Sequence, residues 1–171
     1  ATIRRFSDYW EDVRTQYAAF ESDLRSGASE VYLHEMPGGQ FTNLKEQARA
    51  VGLAERWHEV AKMYADVNQM FGDIVKVTPS SKVVGDMALY MVSSGLTVED
   101  VLDPDTDITF PDSVIGLLRG DLGQPPGGWP KDLQAKALKG EKASTDRPGK
   151  HLPPTDFDAV RESIQGHGGR A

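Results

Sequence analysis

Trp57-His58-Glu59-Val60-Ala61-Lys62-Met63-Tyr64-Ala65-Asp66-Val67-Asn68-Gln69-Met70-Phe71 decides the fold. Trp57, Val60, Ala61, Tyr64, Val67, Asn68, Phe71 and Ile74 recur at the spacing of one helix face. The pattern predicts the longest helix of the chain, of about five turns, closed by Pro79. Upstream, Phe6, Tyr9, Trp10, Val13, Tyr17, Phe20 and Leu24 make a second helical stripe, opposed by Asp8, Glu11, Asp12, Arg14 and Glu21 and ended by Ser26-Gly27. An aromatic stripe of this kind is expected to pack in a core, and one so wide needs a partner surface.

Glu30 to Met36 reads as extended, broken by Pro37-Gly38-Gly39, whose glycines permit positive φ. A helix then starts near Thr42 with Leu44, Gln47, Ala48 and Val51 on one face and Gly52 as its C-terminal cap. Ser80 or Ser81 caps a helix with Val83, Val84, Met87, Ala88 and Met91 inward and Gly95 beyond it. Thr97-Val98-Glu99-Asp100 reads as a capping box. Asp103 to Asp107 is an acidic turn. Pro111 opens a helix holding Val114, Leu117 and Leu118, and Pro130 one through Leu133, Ala137 and Leu138. Gly140 to Pro154 reads as a linker, followed by an amphipathic piece with Phe157, Val160 and Ile164. The expected class is all-α, with five to eight helices and an extended, loosely packed C-terminal third.

Composition narrows the chemistry. The chain has 171 residues, a net charge of -7 and no cysteine. There is no disulfide framework, thiolate metal site or thiol nucleophile. The negative balance argues against nucleic acid, whose binding draws on clustered cations. No apolar run approaches the roughly 18 residues of a membrane span. Neither a phosphate loop nor a GxGxxG is present. His34, His58, His151 and His167 are scattered, with His58 expected on the surface. Asp8, Glu11, Asp12, Glu99 and Asp100 read as solvated faces and caps. No signal peptide is visible. The ends read as those of a piece of a longer protein, a processed N-terminus being the plainer alternative.

Two segments carry chemistry. In His34 to Leu44 a kinked backbone delivers Thr42 and two amides to a helix start, where anions are favoured. A hydroxyl there can accept one proton while giving up its own. A plain N-cap accounts for Thr42 as well. In Phe71 to Asp86, Ser80, Ser81 and Lys82 at a helix start could hold an anion, or simply cap the helix.

HEMPGGQFTNLKEQARAVGL over 34–53 and GDIVKVTPSSKVVGDMA over 72–88 resemble the biotin-dependent carboxyltransferases, and within them the bacterial-type pyruvate carboxylases. The resemblance runs from about Ile3 to Pro154. Related decarboxylase and transcarboxylase subunits typically carry Met and Ser where this chain has Gln40 and Thr42. The resemblance implies a helical extension that follows a TIM barrel, the barrel itself lying outside this chain. Residues 1–139 would be that helical part, and 140–171 a linker towards a central allosteric and tetramer-forming region. It implies Thr42 as proton relay between biotin and pyruvate, Gln40, Asn43 and Lys45 on the substrate and biotin side, and Gly38 and Gly39 shaping the turn.

The cofactors implied are biotin on a separate carrier domain, a divalent metal (Zn or Mn) in the barrel, and ATP with bicarbonate in a further domain. The partners implied are the barrel, the carrier domain, pyruvate and oxaloacetate, in a cytoplasmic homotetramer. No metal ligand carries over to this chain, and the piece alone is expected to be inactive. The alternatives are a helical docking or assembly module without a catalytic residue, and the equivalent part of an oxaloacetate decarboxylase or transcarboxylase.

Overall fold

A computed structural model describes residues 2–21 and 29–166, so Leu24, Ser26, Gly27 and His167 lie outside the described residues. Among those described, the chain is all helical, with no strand. The helices are α1 (Thr2–Tyr17), α2 (Val31–His34), α3 (Gly38–Ala50), α4 (Trp57–Met70), α5 (Ser80–Ser94), α6 (Val98–Leu102), α7 (Asp112–Arg119), α8 (Lys131–Leu138) and α9 (Phe157–Gly166). Short 3-10 turns follow α1 and precede α4 and α9.

The centre of the core is α4 against α5. From α4, Trp57, Val60, Ala61, Tyr64, Val67 and Asn68 are buried, as the period requires. From α5, Val83, Val84, Met87, Ala88 and Met91 face them, all buried. Each large apolar side chain so enclosed contributes about 1.5–3 kcal/mol relative to exposure. Helix α3 packs on α5, α2 and α6 on α4, and α7 on both α5 and α8.

Helix α4 is shorter than its pattern. It stops at Met70, well before Pro79, and both α1 and α5 are longer. The stop is a Schellman motif: the Gly72 N–H donates to the Gln69 carbonyl at 2.9 Å and the Asp73 N–H to that of Asn68 at 2.8 Å. Gly72 takes φ 94°, which its missing Cβ allows. Ile74 is still buried, but from the following loop. The same motif closes α3 at Gly52, where Leu53 N–H reaches the Ala48 carbonyl at 2.7 Å. The capping box at Thr97 and Asp100 is present in full.

Three expectations are corrected. Residues 31–34 form a helix, not an extended stretch, because α2 lies on α4 and buries His34. It brings the α-helices among the described residues to nine, against an expected five to eight. The C-terminal third is not loosely packed throughout. Val114, Leu118 and Leu133 are among the most deeply buried residues. The segment after α8 is tied back by the Ser144 N–H on the Arg119 carbonyl at 2.8 Å and by Arg119 on Glu141 at 3.1 Å.

Finally, the aromatic stripe of α1 is not in the core. No α1 residue is buried, and Phe6, Tyr9, Trp10 and Tyr17 stay more than half exposed. Phe157, Val160 and Ile164 of α9 are exposed too. The reason is geometric: nothing within the described chain faces these stripes. The width that calls for a partner surface is real.

Candidate functional site: two hydroxyl-bearing segments joined by an ion pair

The first segment enters at His34, which is buried and accepts a hydrogen bond at Nδ1 from the Met36 N–H at 2.9 Å. Its ring leans on Phe41, which meets Trp57 edge-on at 5.2 Å. Burial pushes the His34 pKa down, partly opposed by Glu30. Glu35 then takes the left-handed conformation, φ 53°. The positive φ of this turn therefore sits on Glu35, not on Gly38 or Gly39. Those two glycines are the first residues of α3, and a Cβ on either would meet nothing within 4 Å.

Helix α3 begins at Gly38 with Pro37 as its N-cap, so Thr42 is not a cap but lies inside the helix. Its hydroxyl donates back to the Gly39 carbonyl at 3.1 Å. Thr42 is half-buried and Asn43 exposed. Lys45 is half-buried and lines a cavity of about 270 Å³ with Arg49, Ala54, Glu55 and Trp57. Gln40 departs furthest from expectation. It is buried with Leu44 and Ala48 on the opposite side of α3, its Nε2 has no partner, and it presses against Gly85 of α5. In this chain the amide is enclosed between α3 and α5.

The second segment runs from Asp73 to Asp86. Asp73, at φ 53°, accepts from Asn68 Nδ2 at 2.8 Å. Ser80 is the first residue of α5, but its hydroxyl caps no helix N–H. It turns back, accepting from the Val77 N–H at 3.2 Å and lying 2.7 Å from the Val75 and Val77 carbonyls. Ser81 is buried. Lys82 pairs with Asp86 at 2.7 Å, and Asp86 also accepts from Ser113 at 2.8 Å.

Thr78 stands in the turn between, joined to Pro79 by a cis peptide. It is exposed, and among the described residues no partner engages its hydroxyl. It lines a cleft of about 350 Å³ with Val77, Ser80, Leu122, Pro126 and Trp129. Sequence reasoning passed over Thr78. The signal was available: a hydroxyl before a proline is pushed out of helical conformation.

The structure brings the two segments together twice, at Gly85 against Gln40 and Leu44 and through an ion pair. Lys76 Nζ lies 2.9 Å from Glu35 Oε2, across 41 residues of sequence. This contact pulls the Glu35 carboxyl below its ordinary range. His58 is exposed, as expected, and lies 3.5 Å from Glu30. Among the described residues no three metal-ligating side chains come together. No helix among them is long and apolar enough to cross a membrane.

An all-helical module carrying these two motif segments is of the kind found in biotin-type carboxylases. The chain belongs to the conserved carboxylase domain family, whose model matches residues 31–171. It is 54% identical over 163 residues to pyruvate carboxylase of Bacillus subtilis and 55% to that of Staphylococcus aureus, covering 95% of this chain but 14% of each relative. The carboxyl transferase domain of Rhizobium etli pyruvate carboxylase, solved with pyruvate and biocytin, superposes with a TM-score of 0.89 at 70% identity. It covers 96% of this chain and 28% of that structure.

Proposed function

We propose that this chain forms the helical part of a carboxyltransferase site that moves CO2 from carboxybiotin to pyruvate, giving oxaloacetate, and that it supplies the proton relay. The similarity to the Rhizobium etli carboxyl transferase domain supports the site. The free hydroxyl of Thr78 is the observation that carries the relay. Biotin, when bound, would supply the carboxyl group and take up a proton in exchange.

A relay hydroxyl must give its proton to one partner while accepting another from the pyruvate methyl group. Thr78 is exposed, non-helical and uncommitted. Lys82, just beyond it on α5, has an exposed ammonium that could donate to a ureido carbonyl. Their exposure supports placing these two, rather than the enclosed Gln40, beside the ring of biotin. The resulting enolate would attack CO2, so the proton balance closes through Thr78 without a charged intermediate on the side chain.

The second reading keeps Thr42 in that role, with Asn43 and Lys45 beside it. Its hydroxyl proton is committed to Gly39, a bond worth roughly 0.5–1.5 kcal/mol net that would have to break first. The metal, the carrier domain, ATP and bicarbonate belong to the proposed whole, as do a homotetramer and a boundary at 139/140. Thr78→Ala and Thr42→Ala in the full-length enzyme separate the readings. Pyruvate carboxylation is assayed beside bicarbonate-dependent ATP cleavage. Loss of carboxylation in Thr78→Ala, with ATP cleavage kept and Thr42→Ala active, supports Thr78. The reverse pattern moves the role to Thr42, and activity in both leaves the module a docking scaffold.

A further inference from the structure

We infer that the Glu35–Lys76 pair is a positioning device for Thr78, with Lys76 carrying the middle of the relay segment to a distant part of the fold. This rests on Thr78 being the relay.

The segment between Ile74 and Ser81 has little else to hold it. Both of those residues are buried, and they mark its ends. Between them Val75 and Val77 are 74% and 62% exposed, and Thr78 and Pro79 are exposed as well. Exposed side chains restrain a backbone weakly. Among the described residues the segment's other hydrogen bonds include Asn68 on Asp73 at its start, the Ser80 hydroxyl with Val75 and Val77, and the Ser81, Lys82 and Val83 N–H groups on the Val77 and Pro79 carbonyls. All are local: each reaches five residues or fewer along the chain. They tie the ends of the loop to α4 and α5, and none runs from its middle to a distant element.

Lys76 is different. Its side chain is only 14% exposed, although it carries a charge, and its ammonium reaches Glu35 at 2.9 Å. Glu35 is a fixed post. His34 on one side and Met36 on the other are both buried, joined by the Nδ1 to N–H bond. The backbone at Glu35 holds a left-handed φ that L-residues seldom adopt. A charge-assisted hydrogen bond between such a post and the middle of a loop held otherwise at its ends fixes distance and direction. Thr78 lies two residues on. Misplacing a reacting group by about 1 Å costs on the order of 100-fold in rate.

The test uses the full-length enzyme with Lys76→Met, Glu35→Gln, Lys76→Arg and Thr78→Ala. The expected result is a fall in kcat for carboxyl transfer, on the order of 100-fold, in Lys76→Met and Glu35→Gln. KM for pyruvate, bicarbonate-dependent ATP cleavage and the melting temperature stay near wild type, and Lys76→Arg restores kcat. Glu35→Gln keeps shape and changes an exposed group, so it decides the matter if Lys76→Met folds poorly. Wild-type kcat per folded enzyme in both variants, with Thr78→Ala inactive, overturns the positioning role alone. An active Thr78→Ala overturns the relay itself and this inference with it.

Discussion

Gly85 sits in the middle of α5, where alanine is the better helix former by about 1 kcal/mol. Helix propensity alone therefore predicts that Gly85→Ala stabilises the chain. The packing predicts the opposite. A Cβ there would lie 2.5 Å from Gln40 Nε2 and 2.9 Å from Leu44 Cδ1. The Gln40 amide is the tip of a flexible side chain with no hydrogen bond to lose, so it can turn away. Leu44 is fully buried and falls short of ordinary contact by about half an ångström, so α3 must move or Leu44 must leave its rotamer. Overpacking of this kind costs about 1–3 kcal/mol. Set against the propensity gain, the net expectation is a loss of about 1 kcal/mol. Gly116→Ala is the control. It makes the same chemical change inside α7, but the nearest atom is an Asp121 carboxylate oxygen at 3.2 Å, on a half-exposed side chain. That variant should be neutral or slightly stabilised. Urea unfolding of the two variants, compared at constant slope, gives the answer. A gain of stability in Gly85→Ala equal to that in Gly116→Ala would refute the claim that α3 and α5 meet through a glycine.

Three further outcomes follow from single groups. Burial depresses the His34 pKa, and its neutral Nδ1 accepts the Met36 N–H. The unfolded chain therefore binds the proton more readily, and stability present above about pH 6.5 declines as pH falls through the folded value. Urea midpoints measured from pH 7.5 to 5 should show that decline, and His34→Gln should flatten it. Tyr64 is fully buried, its hydroxyl has no partner, and burial pushes its pKa up to about 12. Tyr64→Phe removes an unsatisfied hydroxyl and should raise stability by about 1 kcal/mol, read as a higher urea midpoint. Lys136 donates to the Val101 and Asp103 carbonyls at 2.7 and 2.6 Å, closing the end of α6. Lys136→Met should cost about 1.5–3 kcal/mol in the same measurement.

Where a residue's own neighbours in sequence determine its state, the reading of the sequence held. The inward faces of α4 and α5, the Thr97 box and the glycine after α3 follow from spacing and capping chemistry alone. Where a distant surface decides, it did not. Glu30 to Met36 reads as extended, yet α2 is helical, packed on α4 with His34 buried. Two glycines in a row read as a turn, since glycine is the weakest ordinary helix former. Pro37 nevertheless caps a helix that begins on them, which moves Thr42 inside it. The resemblance placed Gln40 on the substrate side, and its enclosure by the packing of α3 on α5 was not legible in the motif. Thr78 was hidden for the opposite reason. Its proposed role as a relay rests on a hydroxyl that no described residue engages, which no motif spells out.

The most direct measurement is biotin-dependent oxaloacetate decarboxylation by the full-length enzyme carrying Thr78→Ala, with Thr78→Ser beside it. This reverse reaction isolates carboxyl transfer from ATP. The account predicts a loss of about 100- to 10,000-fold in Thr78→Ala, the range of a lost proton-transfer group, with most activity kept in Thr78→Ser. An unchanged rate in Thr78→Ala would contradict it.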